Sequence, residues 1–260
     1  MGNLIGKNVW ITGAETPVGQ AIATRFAAEG ANLLLSGVVE TDFELSHNNT
    51  ICYEYNPVTE EHANKALALI DRLDITIVAN RYVRRGSLLE SPVELFDDVI
   101  DQNLSHAWCA ARATAGKIGK NRGEEDATLL FISSIHGEKP STSVPLYSVA
   151  CGGINMLVKE AALDFGRLGI RVNQLRCGPL DGDPELFMST EHPLYNDSDK
   201  KVPRGYLGKP QEIASAALFL CSDGASFING ATLTADGGFL GFYFYGDSEA
   251  RWDIGFGKGD

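Results

Sequence analysis

Apolar residues fall along this chain in two alternating textures. Some form short continuous runs, and others return every three or four positions over longer stretches. The runs read as buried strands and the periodic stretches as helices with one inward face. Asn8-Val9-Trp10-Ile11 is the first run and ends at Thr12-Gly13. Val18, Ile22 and Phe26 then mark one helix face, which Gly30 closes as a C-terminal cap. Leu33-Leu34-Leu35 is the next run. Strand, glycine turn, helix and strand make a βαβ unit, and continuous apolar runs suit a parallel sheet buried on both faces.

The unit recurs with variation. Further strands are expected at Ile51 to Tyr55, Ile75 to Val78, Thr128 to Ile132, Ile170 to Asn173 and Ala231 to Ala235. Helices are expected from Glu60 to Arg72, with Ala63, Ala66, Leu67 and Ile70 inward, and from Pro92 to about Lys120, with Phe96, Ile100, Leu104 and Ala107 on one stripe. Two more run from Val144 to Leu168 and from Pro210 to Cys221, the latter with proline at its first position. Seven strands alternating with helices predict an α/β fold over residues 1–239: a single-domain, Rossmann-like, doubly wound seven-stranded parallel sheet flanked by helices. Residues 183–204 are polar, carry Pro184, Pro193 and Pro203, and show no periodicity. They read as a long lid-like loop, in which Phe187, Met188, Leu194 and Tyr195 suit many apolar substrates. Residues 240–260 form a tail. With Phe239 just before it, Phe242, Tyr243, Phe244, Tyr245, Trp252 and Phe256 crowd into 18 residues. Such density is expected at a subunit interface, the alternative being a tail folded on its own subunit.

Composition narrows the classes. At 260 residues and 44% hydrophobic, the chain can bury a large core. It has no apolar run long enough for a transmembrane helix, and its first residues lack a signal-peptide pattern. Cys52, Cys109, Cys151, Cys177 and Cys221 are odd in number and without CxxC spacing, which reads as reduced thiols in a cytoplasmic protein. A net charge of -12 argues against nucleic-acid and anionic-membrane partners. His47, His62, His106, His136 and His192 show no ligand spacing, so no metal site is expected. His136 follows Ser134 by two and reads as a loop histidine without a role, the alternative being that it lines a pocket.

Candidate chemistry concentrates in Tyr147-Ser148-Val149-Ala150-Cys151, with Ser134 13 residues before Tyr147. The segment resembles the catalytic stretch of the short-chain dehydrogenase/reductase family, Tyr-x-x-x-Lys with an upstream serine. The resemblance covers nearly the whole chain. It is strongest in the fold-shaping motifs Arg171-Val172-Asn173, Gly178-Pro179, Gly208 to Ala214, Phe219 to Asp223, Asn229-Gly230 and Asp236-Gly237-Gly238. It implies that Tyr147 is the acid/base, Ser134 the hydrogen-bond donor to the substrate oxygen, and Asn103 part of a proton relay. It also implies that Thr12, Gly13, Gly19 and Asn80 belong to a dinucleotide site.

The departures lie along that site. The family's lysine is Cys151, on the same helix face as Tyr147 at i, i+4. With an ordinary pKa near 10, about one tyrosine in a thousand is ionised at neutral pH, and a nearby cation raises that share. A neutral thiol does not, and a thiolate opposes it. Lys159 lies 12 residues past Tyr147, about 18 Å along the axis, too far to substitute. Arg81 is the one cation whose segment borders the vacated place. Pro17 stands for the glycine that admits the pyrophosphate, although it also suits a plain helix start. Gly37 stands for the ribose-binding Asp, Pro57 for the adenine-contacting Asp, and Arg81-Tyr82 for Ala-Gly beside the cofactor. Cys177 stands for the proline of a Pro-Gly pair, and Gly182 for the Thr that holds the carboxamide.

The reading that follows is a catalytically inactive family subunit that binds no cofactor itself. It would pair with an active paralogue in a hetero-tetrameric NAD-dependent alcohol dehydrogenase. Heteromeric members with one inactive subunit type include one that oxidises a hydroxyacyl-CoA, 2-(hydroxy(phenyl)methyl)succinyl-CoA. The alternatives are an active NAD(P)-dependent oxidoreductase with an altered cofactor site, and a non-redox enzyme reusing the Ser134/Tyr147 pair.

Overall fold

In the computed structural model, residues 4–38, 49–56, 59–120, 126–140, 143–182 and 202–241 are described. Seven strands are present: β1 (Asn8–Thr12), β2 (Asn32–Ser36), β3 (Thr50–Tyr53), β4 (Ile75–Val78), β5 (Ala127–Ser134), β6 (Ile170–Cys177) and β7 (Thr232–Ala235). They form one sheet in the order β3-β2-β1-β4-β5-β6-β7, every pairing parallel. Buried Val9, Ile11, Leu33, Leu35 and Ile77 face one side of it, and Trp10, Leu34, Val78, Leu129 and Phe131 the other. This is the doubly wound arrangement expected from the alternating textures, with both faces of the apolar strands covered.

Helix α1 (Pro17–Ala28) covers the first face together with α6 (Pro210–Leu220). Val18, Ile22 and Phe26 are all buried, as their spacing predicts. The second face is covered by α2 (Glu60–Leu67), α4 (His106–Lys120) and α5 (Pro145–Gly166). Helix α2 is shorter than its pattern predicts. The Lys117 ammonium donates to the Leu67 carbonyl (2.9 Å) and to that of Ile70 (2.5 Å), satisfying the freed acceptors where the helix stops.

The long stretch after Pro92 departs from its predicted stripe. It consists of α3 (Val93–Ile100), a π turn (Asp101–Ser105) and α4. The wider turn re-phases the helix, so Val99, Asn103, His106, Ala107, Ala110, Thr114 and Ile118 point inward. Of the predicted positions only Ala107 is fully buried. Phe96 is exposed, while Leu104 packs where α5 has Gly153, whose Cβ would stand 2.6 Å from it.

β5 and β6 each run past their predicted ends, to Ser134 and Cys177. The extensions carry Ser133, Ser134, Gln174 and Arg176, polar residues that are nonetheless buried and so hide the strand from a hydrophobicity pattern. Arg171 explains one of the motifs after residue 170. Its buried guanidinium donates to the carbonyls of Leu220, Ile228 and Ser222 and to the Thr128 hydroxyl, closing the end of α6 against the sheet.

Among the described residues, apolar side chains stand exposed on two faces. Val149, Met156 and Leu163 stand exposed at seven-residue spacing on α5, with Trp108 exposed on α4. Phe219, Phe227 and Leu233 are exposed around α6 and β7, Phe227 fully so. No helix among the described residues is long and apolar enough to cross a membrane. All five cysteines are free thiols: Cys151, Cys177 and Cys221 are buried, and Cys52 and Cys109 partly so. Pro57, the loop 183–201 and the aromatics from Phe242 onward lie outside the described residues.

Candidate active site

The carboxyl ends of β1, β4, β5 and β6 surround a cavity of about 350 Å³, at the edge where open parallel sheets bind ligands. Thr16, Asn80, Arg81, Ser133, Tyr147 and Asp181 bring polar groups to it. Ile132, Val83, Leu180 and Pro17 make it apolar elsewhere.

Ser134 ends β5, and Tyr147 sits in the first turn of α5, which packs back on that strand. Both are buried. The Ser134 hydroxyl accepts from the His136 backbone N–H at 3.3 Å. Cys151 lies one turn beyond Tyr147, as the i, i+4 spacing requires. With Tyr147, Val83 and Val144 it forms a small apolar cluster. Burial pushes the thiol above its ordinary pKa, against smaller opposing effects of the Ser133 and Tyr147 hydroxyls and the Arg81 charge. At neutral pH the group in the lysine position is therefore an uncharged thiol.

Two groups read weakly in the sequence prove to be close. Arg81 lines the cavity, and its charge acts on both Cys151 and His136. A cation thus reaches the vacated lysine region from the loop after β4. His136 meets Tyr147 edge-on, ring centroids 6.4 Å apart, and burial lowers its pKa. Only its two-residue distance from Ser134 hinted at that placement. Tyr82, in contrast, turns away from the cavity. Its hydroxyl donates to Asp98, and the Arg84 guanidinium stacks 3.9 Å over its ring.

Asn103 lies in the π turn, and its side chain is fully engaged by backbone. It donates to the carbonyls of Tyr82 and Val99, both at 2.8 Å, and accepts from the Tyr82 N–H at 3.1 Å. It pins the loop that carries Arg81. Asn80 lines the cavity, and its buried amide oxygen meets no donor among the described residues. No group of three or more His, Cys, Asp or Glu able to hold a metal occurs among those residues.

The glycine turn is organised by its own chain. Thr16 caps α1 by accepting from Gly19 N–H at 3.0 Å, and Pro17 takes the first helical position. The Thr12 hydroxyl is 2.9 Å from Nε2 of the fully buried His106. Gly13 N–H donates to Asn56 Oδ1 at 2.9 Å, and Asn56 Nδ2 donates to Glu15 Oε1 at 2.8 Å. A Cβ on Gly37 would come within 2.3 Å of Glu15 Oε2 and 2.6 Å of Asn56 Nδ2. Glu15 is an exposed residue, yet desolvation of its carboxyl raises its pKa, against smaller lowering by hydrogen bonds to its own backbone and to Asn56.

Gly19 has a packing role that needs no ligand, since a Cβ there would stand 2.2 Å from the Gly13 carbonyl oxygen. Gly19→Ala should therefore cost about 1–3 kcal/mol by forcing α1 off the turn, read as a lower midpoint in urea. An unchanged midpoint would show that the turn yields freely.

Residues 13–240 match the family described as Enoyl-(Acyl carrier protein) reductase. Glucose 1-dehydrogenase 2 of Bacillus subtilis is 31% identical over 91% of this chain and 95% of its own length. A 3-oxoacyl-(acyl carrier protein) reductase FabG of Chlamydia trachomatis is 32% identical over 91% and 98%. The crystal structure of a short chain dehydrogenase from Bacillus anthracis superposes with a TM-score of 0.81 at 26% identity, over 92% of this chain and 98% of that one. This chain is a short-chain dehydrogenase/reductase. As a member of that family it keeps Ser134, Tyr147 and Asn103 in sequence, but of the three only Tyr147 lines the cavity; Ser134 is buried beside it at the end of β5, and Asn103 is spent on the Tyr82 and Val99 backbone. It departs from the short-chain dehydrogenase/reductase pattern where a charge or an open backbone is expected, at Cys151, Gly37, Arg81 and Pro17.

Proposed function

We propose that this chain is a non-catalytic subunit of a hetero-oligomeric NAD-dependent alcohol dehydrogenase, assembled as a heterotetramer with a catalytically complete paralogue. The observation that carries the reading is Cys151. The lysine position holds a buried, neutral thiol walled by Val83, Val144 and Tyr147. Cys151 itself neither grips a ribose nor favours tyrosinate. The adenosine end supports the same reading, because the residues there do not fit a dinucleotide: Gly13 N–H and the face of Gly37 are already engaged by Asn56 and Glu15. Without a hydride carrier, Tyr147 and Ser134 have no redox step to serve.

A subunit that does no chemistry must act through its surfaces. The exposed Val149-Met156-Leu163 stripe with Trp108, and the Phe219-Phe227-Leu233 patch, are two separate faces, as a tetramer needs. The paralogue would carry the NAD and oxidise a hydroxyacyl-CoA-type substrate such as 2-(hydroxy(phenyl)methyl)succinyl-CoA. The aromatic tail would lie at the interface.

Arg81 favours a second reading, an active NAD(P)-dependent oxidoreductase that draws its cation from the loop after β4. Two measurements separate them. Mass spectrometry of the native complex should find a second, motif-complete family member at equal stoichiometry, and calorimetry on the isolated chain should find no NADH or NADPH binding in the micromolar range. A complex of this chain alone that turns over NADH would overturn the proposal.

A further inference from the structure

Three loops meet at one corner of the sheet: the turn after β1, the end of β2 and the end of β3. A doubly wound domain uses this corner for the adenosine half of a dinucleotide. The turn offers backbone N–H groups to the phosphates, and an acidic side chain at the end of β2 accepts from the ribose hydroxyls. Here two side chains of the chain itself span the corner. Asn56, after β3, accepts from Gly13 N–H and donates to Glu15 Oε1. Both lie over Gly37, after β2, whose missing side chain leaves the room they occupy.

The fit is specific in two respects. Glu15 Oε2 stands 2.3 Å from where a Cβ on Gly37 would be, close to the reach of an aspartate oxygen from its own Cβ. The carboxylate of the turn thus takes the space of the acid that β2 lacks. Asn56 Oδ1 takes a turn N–H that a nucleotide would approach. We propose that the Glu15–Asn56 bridge is an internal occupant of the adenosine-ribose subsite and holds it closed against adenosine nucleotides. The inference rests on the reading that this chain binds no dinucleotide, and it supplies the device that enforces it at one end. An entering nucleotide must break both hydrogen bonds, displace a carboxylate and bring phosphate charge toward it, costs that an open corner does not impose.

The test uses the full chain with Glu15→Ala and Asn56→Ala together, beside Asn56→Ala alone and the wild type, each titrated with AMP by ligand-observed NMR. Thermal melts confirm that each is folded. Wild type should show no saturable binding up to about 10 mM, and the double variant should bind near 1 mM, at least about tenfold tighter. The single variant should fall between them. AMP bound by neither folded variant would overturn the bridge as the closing element. AMP bound by wild type and lost in the double variant would overturn it too, making the pair a ribose clasp. NADH saturating the wild type sinks the underlying reading together with the bridge. AMP silent in the variants while NADH is silent in the wild type sinks the bridge alone.

Discussion

Acidification from pH 6.5 to 5 should destabilise the wild type by about 2 kcal/mol more than a His106→Gln variant. His106 is wholly buried, and desolvation alone lowers its pKa from 6.5 to about 3. The folded chain therefore keeps this imidazole neutral until about pH 3, whereas the unfolded chain protonates it near 6.5. The stability is fully present above 6.5. It falls by roughly 1.4 kcal/mol per pH unit below that and levels only near the folded pKa. Glutamine keeps an amide able to meet the Thr12 hydroxyl and does not titrate. Urea unfolding of both proteins across this range is the measurement. Parallel stability curves would mean that His106 protonates without unfolding.

Cys151→Lys should destabilise the chain by about 3–5 kcal/mol and restore no turnover. The substitution returns the family's residue to its family position, so on motif grounds it is a repair. Here the ammonium would enter a cluster of Val83, Val144 and Tyr147, with the Arg81 charge already acting there. For a chain of this size the loss is on the order of 10 °C in melting temperature. Adding Arg81→Ala in the same chain should return part of it, because two like charges then become one. A Cys151→Lys protein that melts with the wild type and oxidises NADH would show that the rest of the cofactor path is intact.

These predictions come from contacts that differ in how visible they were from sequence. The strands and α1 were legible because Leu33-Leu34-Leu35 and Val18, Ile22, Phe26 carry their period openly. The ends of β5 and β6 were not, because Ser133, Gln174 and Arg176 are polar residues buried by partners distant in the chain. The loss at Cys151 was legible from the resemblance to the family's Tyr-x-x-x-Lys pattern, and the i, i+4 spacing placed the thiol beside Tyr147. The arrival of Arg81 beside it depends on a loop path that Asn103 fixes through the backbone of Tyr82. The Glu15–Asn56 bridge joins residues 41 apart, each unremarked in its own segment, and Gly37 reads as a mere absence until the side chains above it are seen. His106 showed nothing of its burial, since the π turn that rotates it inward has no hydrophobic signature.

That π turn holds one residue more than an α turn, and one residue of helix is a rotation of about 100°. Asn103 on the inner side and Trp108 on the outer side are therefore geared together across it. If the turn closed to α geometry with all its residues kept, α4 would swing by that angle and carry Ala107 to the phase Trp108 now holds, toward water. The placement of Asn103 and the outward face of α4 thus depend on the same irregular turn.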